Sequence, residues 1–562
     1  MGQLGNPQLN ATIKKALLGG IAISVFAGAA IAQVAAPAAP LKLKTDYFGY
    51  AAGVSARTSY SDNINLARKG LEDDEIIFST LLTGGAIYST PRVTAMVLGD
   101  LDLSYLVDQG DLAVNQNIGA TSTFTGLDNW IYFDLSGSTS RQLAGDNARF
   151  SGNINAGRSQ RVNVHSYNAS PYIFHQFADD SSLELRYRFS QVFVDGEQSL
   201  SSLFRGNSLN DSLTHEVIAR YDTGRMNERL RMRFTAYGSD TTEDGVDIFP
   251  DFEYRQGSLS ADAQFALTSN FALSGAVGYD ELETNAATAL FFNDDVLSGF
   301  FWRAGFTAQP GPRSSIRIEY GERYGDDFID ADARYQISER LMFSAAASRS
   351  FRTRAQSIST QYRTNQRQTL DFADRLREGD ELSARSVIES ANWYANSLNF
   401  GQAQTSGVSV TDNASAALTG TYGRTELSIN GFYSDDNFGY RQIETIGGGL
   451  DLRRRMSRRL TGYGSVTYRY ADTAFDPATC QANPLIFGFD TTDPLFDPVL
   501  SCNDLAADNG VTNTLIGRLG ASYQIVENAS VFVEASRTER FAPNPLLEYG
   551  ETNILAGITL DF

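Results

Sequence analysis

The chain closes with ETNILAGITLDF, residues 551–562, in which apolar and polar side chains alternate. One side of this stretch carries Ile554, Ala556, Ile558, Leu560 and Phe562. The other side carries Asn553, Gly557, Thr559 and Asp561. A period of two is typical of a β-strand with one apolar and one polar face. Because the alternation continues to Phe562, we expect the chain to end within a strand.

The same alternation recurs along most of the chain after residue 47. It is clearest in LELRYRFS (183–190), RLRMRFTAY (229–237), VTAMVLGDLDLSYLV (93–107) and VTYRY (466–470). Strands of a soluble sandwich also alternate, so this pattern predicts an all-β chain without choosing its architecture.

The connections between strands are more informative. Ten tight turns join the candidate strands in pairs: STPR (89–92), GLDN (126–129), ADDS (178–181), TGRMN (223–227), TSN (268–270), QPGPR (309–313), ISER (337–340), YGR (422–424), RRMSRR (454–459) and VENA (526–529). Mostly longer polar segments separate these pairs, although the connections near 326–327 and 436–440 are short. Short turns on one side and longer loops on the other are typical of an outer-membrane barrel, where the turns are periplasmic.

Counting the strands supports a closed sheet. Ten hairpins, a first strand at about 47–60 and a last strand at about 552–562 give roughly 22 strands, within an expected range of about 16–22. In hydrocarbon, strands must pair all their backbone groups, which only a closed barrel achieves. The sequence therefore predicts a transmembrane antiparallel up-and-down β-barrel. The alternative, a string of secreted sandwich domains, needs internal linkers, and none is evident.

The N-terminus predicts secretion. Residues 1–32 combine Lys14 and Lys15, an apolar run and the small-residue site Ala30-Ile31-Ala32, as in a signal peptide. An N-terminal anchor helix is the alternative. Residues 33–46 form an Ala/Pro spacer, too short for a domain or a plug, and 47–562 form the predicted barrel. The formal net charge of −20 argues against binding nucleic acid.

Two features resemble known outer-membrane proteins. A C-terminal aromatic residue with apolar residues at alternate positions before it, here Ile558, Leu560 and Phe562, resembles the assembly signal read by the barrel-assembly machinery. The segment SYSDNINLA (59–67) is similar to one in a family of β-barrel porins of Gram-negative proteobacteria, most of which have no assigned substrate. The resemblance implies location in the cell outer membrane after cleavage near Ala32, and no activity beyond a pore.

Charged residues on two neighbouring hairpins are the candidates for lining that pore: Glu184, Arg186, Arg188, Arg229, Arg231 and Arg233. Arg469 and Arg518 add to a wall of mixed sign. One interpretation is a transverse field that steers anionic or zwitterionic solutes. The alternative is that any water-filled lumen needs charged side chains for pairing and solubility.

Cys480 and Cys502 are the only cysteines, and both lie in the long segment 472–512. In an oxidising compartment, a lone pair within one loop predicts a disulfide, with two free thiols as the alternative. The three histidines, His165, His175 and His215, have no nearby cysteine or carboxylate at metal-ligand spacing, which favours a structural role. No nucleophile elbow, HExxH or P-loop is present, so we expect no enzyme and no cofactor.

The longest interruption of the strand pattern is 353–410. Because a barrel of about 22 strands has a wide lumen, this segment either folds partly inward as a constriction or lies outside as a surface flap.

The function predicted from the sequence is passive diffusion of small hydrophilic solutes through an outer-membrane porin. An export channel for polysaccharide or protein, and a non-conducting structural or adhesion barrel, are the alternatives. The expected partners are membrane lipid, lipopolysaccharide, the barrel-assembly machinery and the solutes. The sequence shows no interface signal that would set an oligomeric state.

Overall fold

The computed structural model describes residues 40–41, 47–127, 130–143, 149–195, 210–224, 229–244, 251–285, 297–353, 356–358, 382–383, 408–439, 441–475, 477–482, 484, 496–508 and 510–562. The predicted signal peptide (1–32) and most of the spacer (33–46) lie outside these residues, as does most of 353–410.

Alternating residues form 22 long strands, numbered here in chain order. They are β1 Phe48–Ser61, β2 Glu75–Ser89, β3 Val93–Leu106, β4 Asp111–Leu127, β5 Ile131–Leu143, β6 Arg161–Gln176, β7 Ser182–Asp195, β8 Ser212–Asp222, β9 Leu230–Glu243, β10 Phe252–Ala266, β11 Phe271–Thr284, β12 Gly299–Gly311, β13 Ser314–Arg323, β14 Asp326–Ser338, β15 Leu341–Thr353, β16 Val408–Tyr422, β17 Thr425–Asn437, β18 Arg441–Arg455, β19 Leu460–Phe475, β20 Thr512–Val526, β21 Ala529–Phe541 and β22 Tyr549–Asp561.

Each strand pairs antiparallel with its sequence neighbours, and the last strand closes the ring by pairing with the first. In this closing pair, Gly53 lies opposite Asp561 and Ser61 opposite Asn553. The backbone N–H of Phe562 donates to the carbonyl of Ala52 at 2.8 Å. Closure leaves the sheet without an edge. The prediction of an up-and-down barrel with as many as 22 strands is confirmed.

Connection length differs between the two ends of the barrel. All ten turns predicted from the sequence join consecutive strands at one end of the barrel, and they range from two residues (423–424) to seven (223–229). We call this end periplasmic and the other end extracellular, after the orientation that the sequence predicts. Extracellular connections range from two residues (324–325) to 54 (354–407). Two further extracellular connections, not predicted from the sequence, are the turn at 107–110 and the loop at 542–548, which contains the 3-10 turn Pro545–Leu547.

The two faces of each strand follow the sequence alternation. In β22, Ile554, Ile558 and Leu560 are exposed on the outer surface, whereas Glu551 and Thr559 are buried on the inner face. Aromatic residues also lie on the outside, as where Trp130 stacks on His175 at 4.0 Å near the periplasmic end. An apolar outer face is what a barrel in lipid requires.

Buried apolar side chains gather inside the barrel at its extracellular end, where they join loops to strand ends. Three such clusters comprise Ile64, Leu66, Ile77, Leu106, Ala113, Ala156 and Tyr549; Tyr254, Leu282, Leu297, Phe351, Val408 and Val410; and Val164, Val192 and Ile358. This end of the lumen is therefore narrowed by packed loop residues.

The remaining elements belong to connections. Helices α1 (Pro477–Ala482) and α2 (Pro498–Asp508) lie in the segment 472–512, and Arg158–Gln160 forms a 3-10 turn before β6. Two-residue strands at Pro40–Leu41 and Leu382–Ser383 pair with each other. Among the residues placed by the structure, no helix is both long and apolar enough to cross a membrane.

Candidate functional site

The inner face of β7 carries the first of the sequence-predicted residues. Glu184, Arg186 and Arg188 point into the lumen, whereas Leu185 and Tyr187 between them are exposed outside. Arg186 pairs with Asp134 on β5 at 2.9 Å and with Glu184 at 2.7 Å. Its guanidinium also lies 3.6 Å from the ring centre of Tyr172, a cation–π contact. Carboxylates on both sides thus compensate the charge of Arg186.

The neighbouring strands β8 and β9 continue this pairing. Arg188 pairs with Glu216 at 2.9 Å. Arg231 and Arg233 both pair with Asp222, at 2.6 and 3.2 Å. Arg229 is different, because it lies in the periplasmic turn before β9, where it is exposed. The structure therefore brings five of the six predicted residues together on one inner wall and places Arg229 at its periplasmic edge.

A second set of charges, not predicted from the sequence, extends the wall across β10 to β14. Arg303 pairs with Asp262, with Asp330 and, at 3.2 Å, with Glu319. Arg317 contacts Glu319 at 3.0 Å and Asp330 at 2.9 Å. Arg317 and Glu319 alternate within IRIEYGER (316–323), a signal that resembles LELRYRFS; Arg303 stands alone in its strand.

We call Glu184, Arg186, Arg188, Arg231, Arg233, Arg303 and Arg317 the paired wall. Their ion pairs are partly open to the lumen: the side chains of Arg231 and Arg317 are each 27% exposed. Paired charges that remain partly hydrated keep a wall hydrophilic at a modest cost in desolvation.

Residues 149–157 follow β5 and fold into the lumen, where they cover strands opposite the paired wall. We call residues 149–157 the inward loop. Ser151 and Asn153 both donate to the carboxylate of Glu551 on β22, the latter at 3.2 Å. Asn155 donates to Ser104 Oγ at 3.1 Å and accepts from Asn115 at 3.0 Å. Alternate side chains of the loop are thus hydrogen-bonded to the inner wall.

The backbone of the inward loop is held as well. Arg518 donates to the carbonyl of Gly152 at 3.1 Å. Gly157 has φ +64°, and a Cβ there would lie 2.9 Å from Leu66 Cδ1, so both conformation and space favour glycine. The N–H of Gly157 donates to the carbonyl of Ile64 at 2.9 Å.

The segment SYSDNINLA (59–67) stabilises the inward loop through hydrogen bonds. Ser61 Oγ donates to Glu551 at 2.7 Å, and the Asn63 side chain bonds both backbone groups of Ala67 at 2.8 Å. Leu66 accepts a hydrogen bond from Arg149 through its carbonyl. The motif therefore has a structural role beside the inward loop, which its sequence alone did not reveal.

Three arginines surround the start of the inward loop; we call Arg149, Arg469 and Arg540 the arginine triad. The guanidinium carbons of Arg149 and Arg540 each lie 5.8 Å from the ring centre of Tyr549, and that of Arg469 lies 4.5 Å from the ring centre of Phe150. The Tyr549 hydroxyl donates to the carbonyl of Phe150 at 2.7 Å.

The other predicted residues lie away from the lumen site. Cys480 and Cys502 form a disulfide that joins α1 to α2, with Cα atoms 5.8 Å apart. Ile558, Leu560 and Phe562 are exposed on the outer face of β22 and just after it. His175 contacts the outer aromatic residues Trp130 and Phe177, and His215 shares a 2.7 Å hydrogen bond with Tyr187.

A closed sheet with an apolar outer face and a charged, partly hydrated inner face defines the class: a transmembrane β-barrel of the outer-membrane type. No family model and no curated protein matches the chain.

Solved structures of similar shape include the siderophore receptor PirA of Acinetobacter baumannii, with 8% identity and a TM-score of 0.47 over 91% of this chain and 80% of that one. The ferric-catecholate import receptor Fiu of Escherichia coli has 10% identity and a TM-score of 0.47, over 93% and 82%. The FrpB iron transporter of Neisseria meningitidis has 9% identity and a TM-score of 0.37, over 91% and 82%.

Proposed function

We propose that this protein is an outer-membrane channel through which small hydrophilic solutes diffuse passively. The observation that carries this proposal is the paired wall: a set of partly exposed ion pairs on the inner face of a closed barrel. Such a wall offers donors and acceptors to water along the lumen. A lumen that served only as a packed core would be lined by apolar side chains.

The size of the solute follows from the narrowing of the lumen. The inward loop lies along the walls of β19 to β22 and of β3 and β4, as its bonds to Arg518, Glu551, Ser104 and Asn115 show. Ile358, near the start of the long segment 353–410, is fully buried against Val164 and Val192. Both contacts reduce the open cross-section, which favours small solutes over folded proteins.

Charge on the paired wall supports modest selectivity. Each of its arginines faces at least one carboxylate, so opposite charges alternate around the lumen and the net field is small. This arrangement suits neutral and zwitterionic solutes better than strongly charged ones.

Passive diffusion through the lumen is tested with purified, refolded protein in planar lipid bilayers. The proposal expects stepwise single-channel currents in KCl that decrease when a neutral hydrophilic polymer small enough to enter is added. Bilayers that stay electrically silent, although the protein shows heat-modifiable gel migration and is therefore folded, would refute passive conduction.

The row Ile558, Leu560 and Phe562 is proposed to act as the signal for the barrel-assembly machinery. Its support is the resemblance of the terminal residues together with their exposure on the outer face, where an insertion factor can reach them.

A further inference from the structure

We infer that the arginine triad is a binding site for a small oxyanion, such as phosphate, sulfate or a carboxylate group, at the extracellular end of the lumen. The inference rests on the proposed function only for the route by which the ion arrives.

Strand register places two of the three arginines in one cross-strand row, with Thr514 between them. Arg540 on β21 lies opposite Thr514 on β20, and Thr514 lies opposite Arg469 on β19. Tyr549 on β22 is the cross-strand partner of Arg540 on the other side. Directly opposed residues are neighbours on one face, so two guanidiniums and two hydroxyls form one continuous row on the inner wall.

The inward loop brings the third arginine to this row. Arg149 and Arg540 contact the same Tyr549 ring, and each guanidinium carbon lies 5.8 Å from the ring centre. Phe150 and Tyr549 form an aromatic floor joined by the bond from the tyrosine hydroxyl to the Phe150 carbonyl. Flat aromatic faces leave the N–H groups of a stacked guanidinium able to point sideways at a ligand.

The charges of Arg149 and Arg469 are poorly compensated. Arg149 donates to the backbone carbonyls of Leu66 and Leu546, and Arg469 approaches Thr445 Oγ1 at 3.5 Å. Within the described part of the chain, neither forms an ion pair with a carboxylate. Glu551, two residues after Tyr549, accepts instead from Ser61, Ser151 and Asn153.

Burial makes the imbalance costly. Arg469 is only 8% exposed. The pKa of Arg149 is lowered from its ordinary value, mainly by burial, although the nearby Tyr549 opposes this shift. Buried charges normally have partners, and a bound anion would supply one. Phosphate, sulfate and carboxylate groups match the forked donors of arginine, which favours an oxyanion over halide.

Isothermal titration calorimetry of the detergent-folded protein with inorganic phosphate tests the site. Wild type is expected to bind saturably. Arg469→Gln is expected to weaken binding at least about 10-fold, since a charge-assisted hydrogen bond contributes about 1.5–3 kcal/mol. Arg469→Lys should bind more tightly than Arg469→Gln but less tightly than wild type, because lysine keeps the charge and loses the forked donors. Arg540→Gln is the second variant, in case the first does not fold.

Arg537→Gln is the matched control, because Arg537 lies on the same strand but is half exposed and pairs with Glu539 outside the lumen row. Its phosphate affinity should equal that of wild type. Absence of saturable phosphate binding by wild type, or equal binding by Arg469→Gln, would overturn the site. A protein that conducts but binds no phosphate refutes only this inference, whereas one that binds phosphate but never conducts refutes only the channel.

Discussion

The paired wall and the arginine triad use the same residue type on the same kind of surface, yet they balance its charge differently. In the paired wall, carboxylates from adjacent strands meet each arginine: Asp222 serves both Arg231 and Arg233. In the triad, Arg149 donates to backbone carbonyls and Arg469 lies over the ring of Phe150, and neither forms an ion pair with a carboxylate among the described residues. The difference shows that the neighbours set by strand register and by the inward loop decide whether a lumen arginine faces a carboxylate.

Removing the proposed assembly signal should have the largest effect of the changes considered, because it affects the paired wall and the arginine triad together. Deletion of Phe562 is expected to reduce the amount of inserted barrel severalfold, because the proposed signal is lost, while the few inserted molecules conduct normally. Quantitative blotting of outer-membrane fractions measures this. Phe541→Ala is the control, since Phe541 is also an exposed aromatic residue at a strand end. Equal reduction in both variants would remove the special role of Phe562.

Asp222→Asn should convert part of the paired wall into an unpaired one. Arg231 and Arg233 would lose their common carboxylate, and the free energy of unfolding should fall by about 1–3 kcal/mol. The reversal potential in a KCl gradient should shift toward anion selectivity. Asp240→Asn is the control, because the Asp240 side chain is 53% exposed and pairs with Arg255 on the outer surface. An unchanged reversal potential for Asp222→Asn would show that these arginines do not influence permeation.

Gly157→Val should displace the inward loop and so separate Arg149 from Arg469 and Arg540. Valine at φ +64° costs about 1–2 kcal/mol, and its side chain would collide with buried Leu66. Single-channel conductance is expected to increase. Gly423→Val imposes similar strain at φ +61° in a periplasmic turn, where a Cβ would have no atom within 4 Å, and should leave conductance unchanged. The narrowing attributed to the loop fails if both variants conduct like wild type.

Replacing Cys480 and Cys502 together by serine should have the smallest effect on either wall. The disulfide closes an extracellular loop with a sequence separation of 22, and its loss should cost about 3 kcal/mol of local constraint. Limited proteolysis is expected to cut within 472–512 faster, whereas conductance and phosphate binding remain at wild-type values. Altered conductance would place this loop over the pore.

Local sequence was sufficient for the architecture. Alternation in LELRYRFS and the short turns such as YGR (422–424) depend on neighbouring residues, so the strands, the periplasmic turns and the closing pair were predictable. The inward loop was not. Its sequence, FSGNINAG (150–157), is polar and glycine-rich like a surface loop, and its direction depends on Glu551, which lies about 400 residues away in the chain.

Pairing within the lumen was likewise beyond the sequence. Alternation indicates that Arg186 and Arg231 face inward, but their partners Asp134 and Asp222 are set by strand register. Arg303 sits among aromatic and small residues in FFWRAGF (300–306), with no neighbouring charge to mark it. The segment 353–410, predicted either to constrict the lumen or to lie outside, is mostly beyond the described residues; its described residue Ile358 packs on the inner wall.

The most direct test of the account is the single-channel current of folded wild-type protein in a planar bilayer, recorded in KCl before and after addition of inorganic phosphate. We predict stepwise conductance with weak selectivity between K⁺ and Cl⁻. Phosphate should reduce the current saturably, and this reduction should be weaker in Arg469→Gln and unchanged in Arg537→Gln. A folded protein that leaves the bilayer sealed would contradict the central claim that the lumen is a hydrophilic passage.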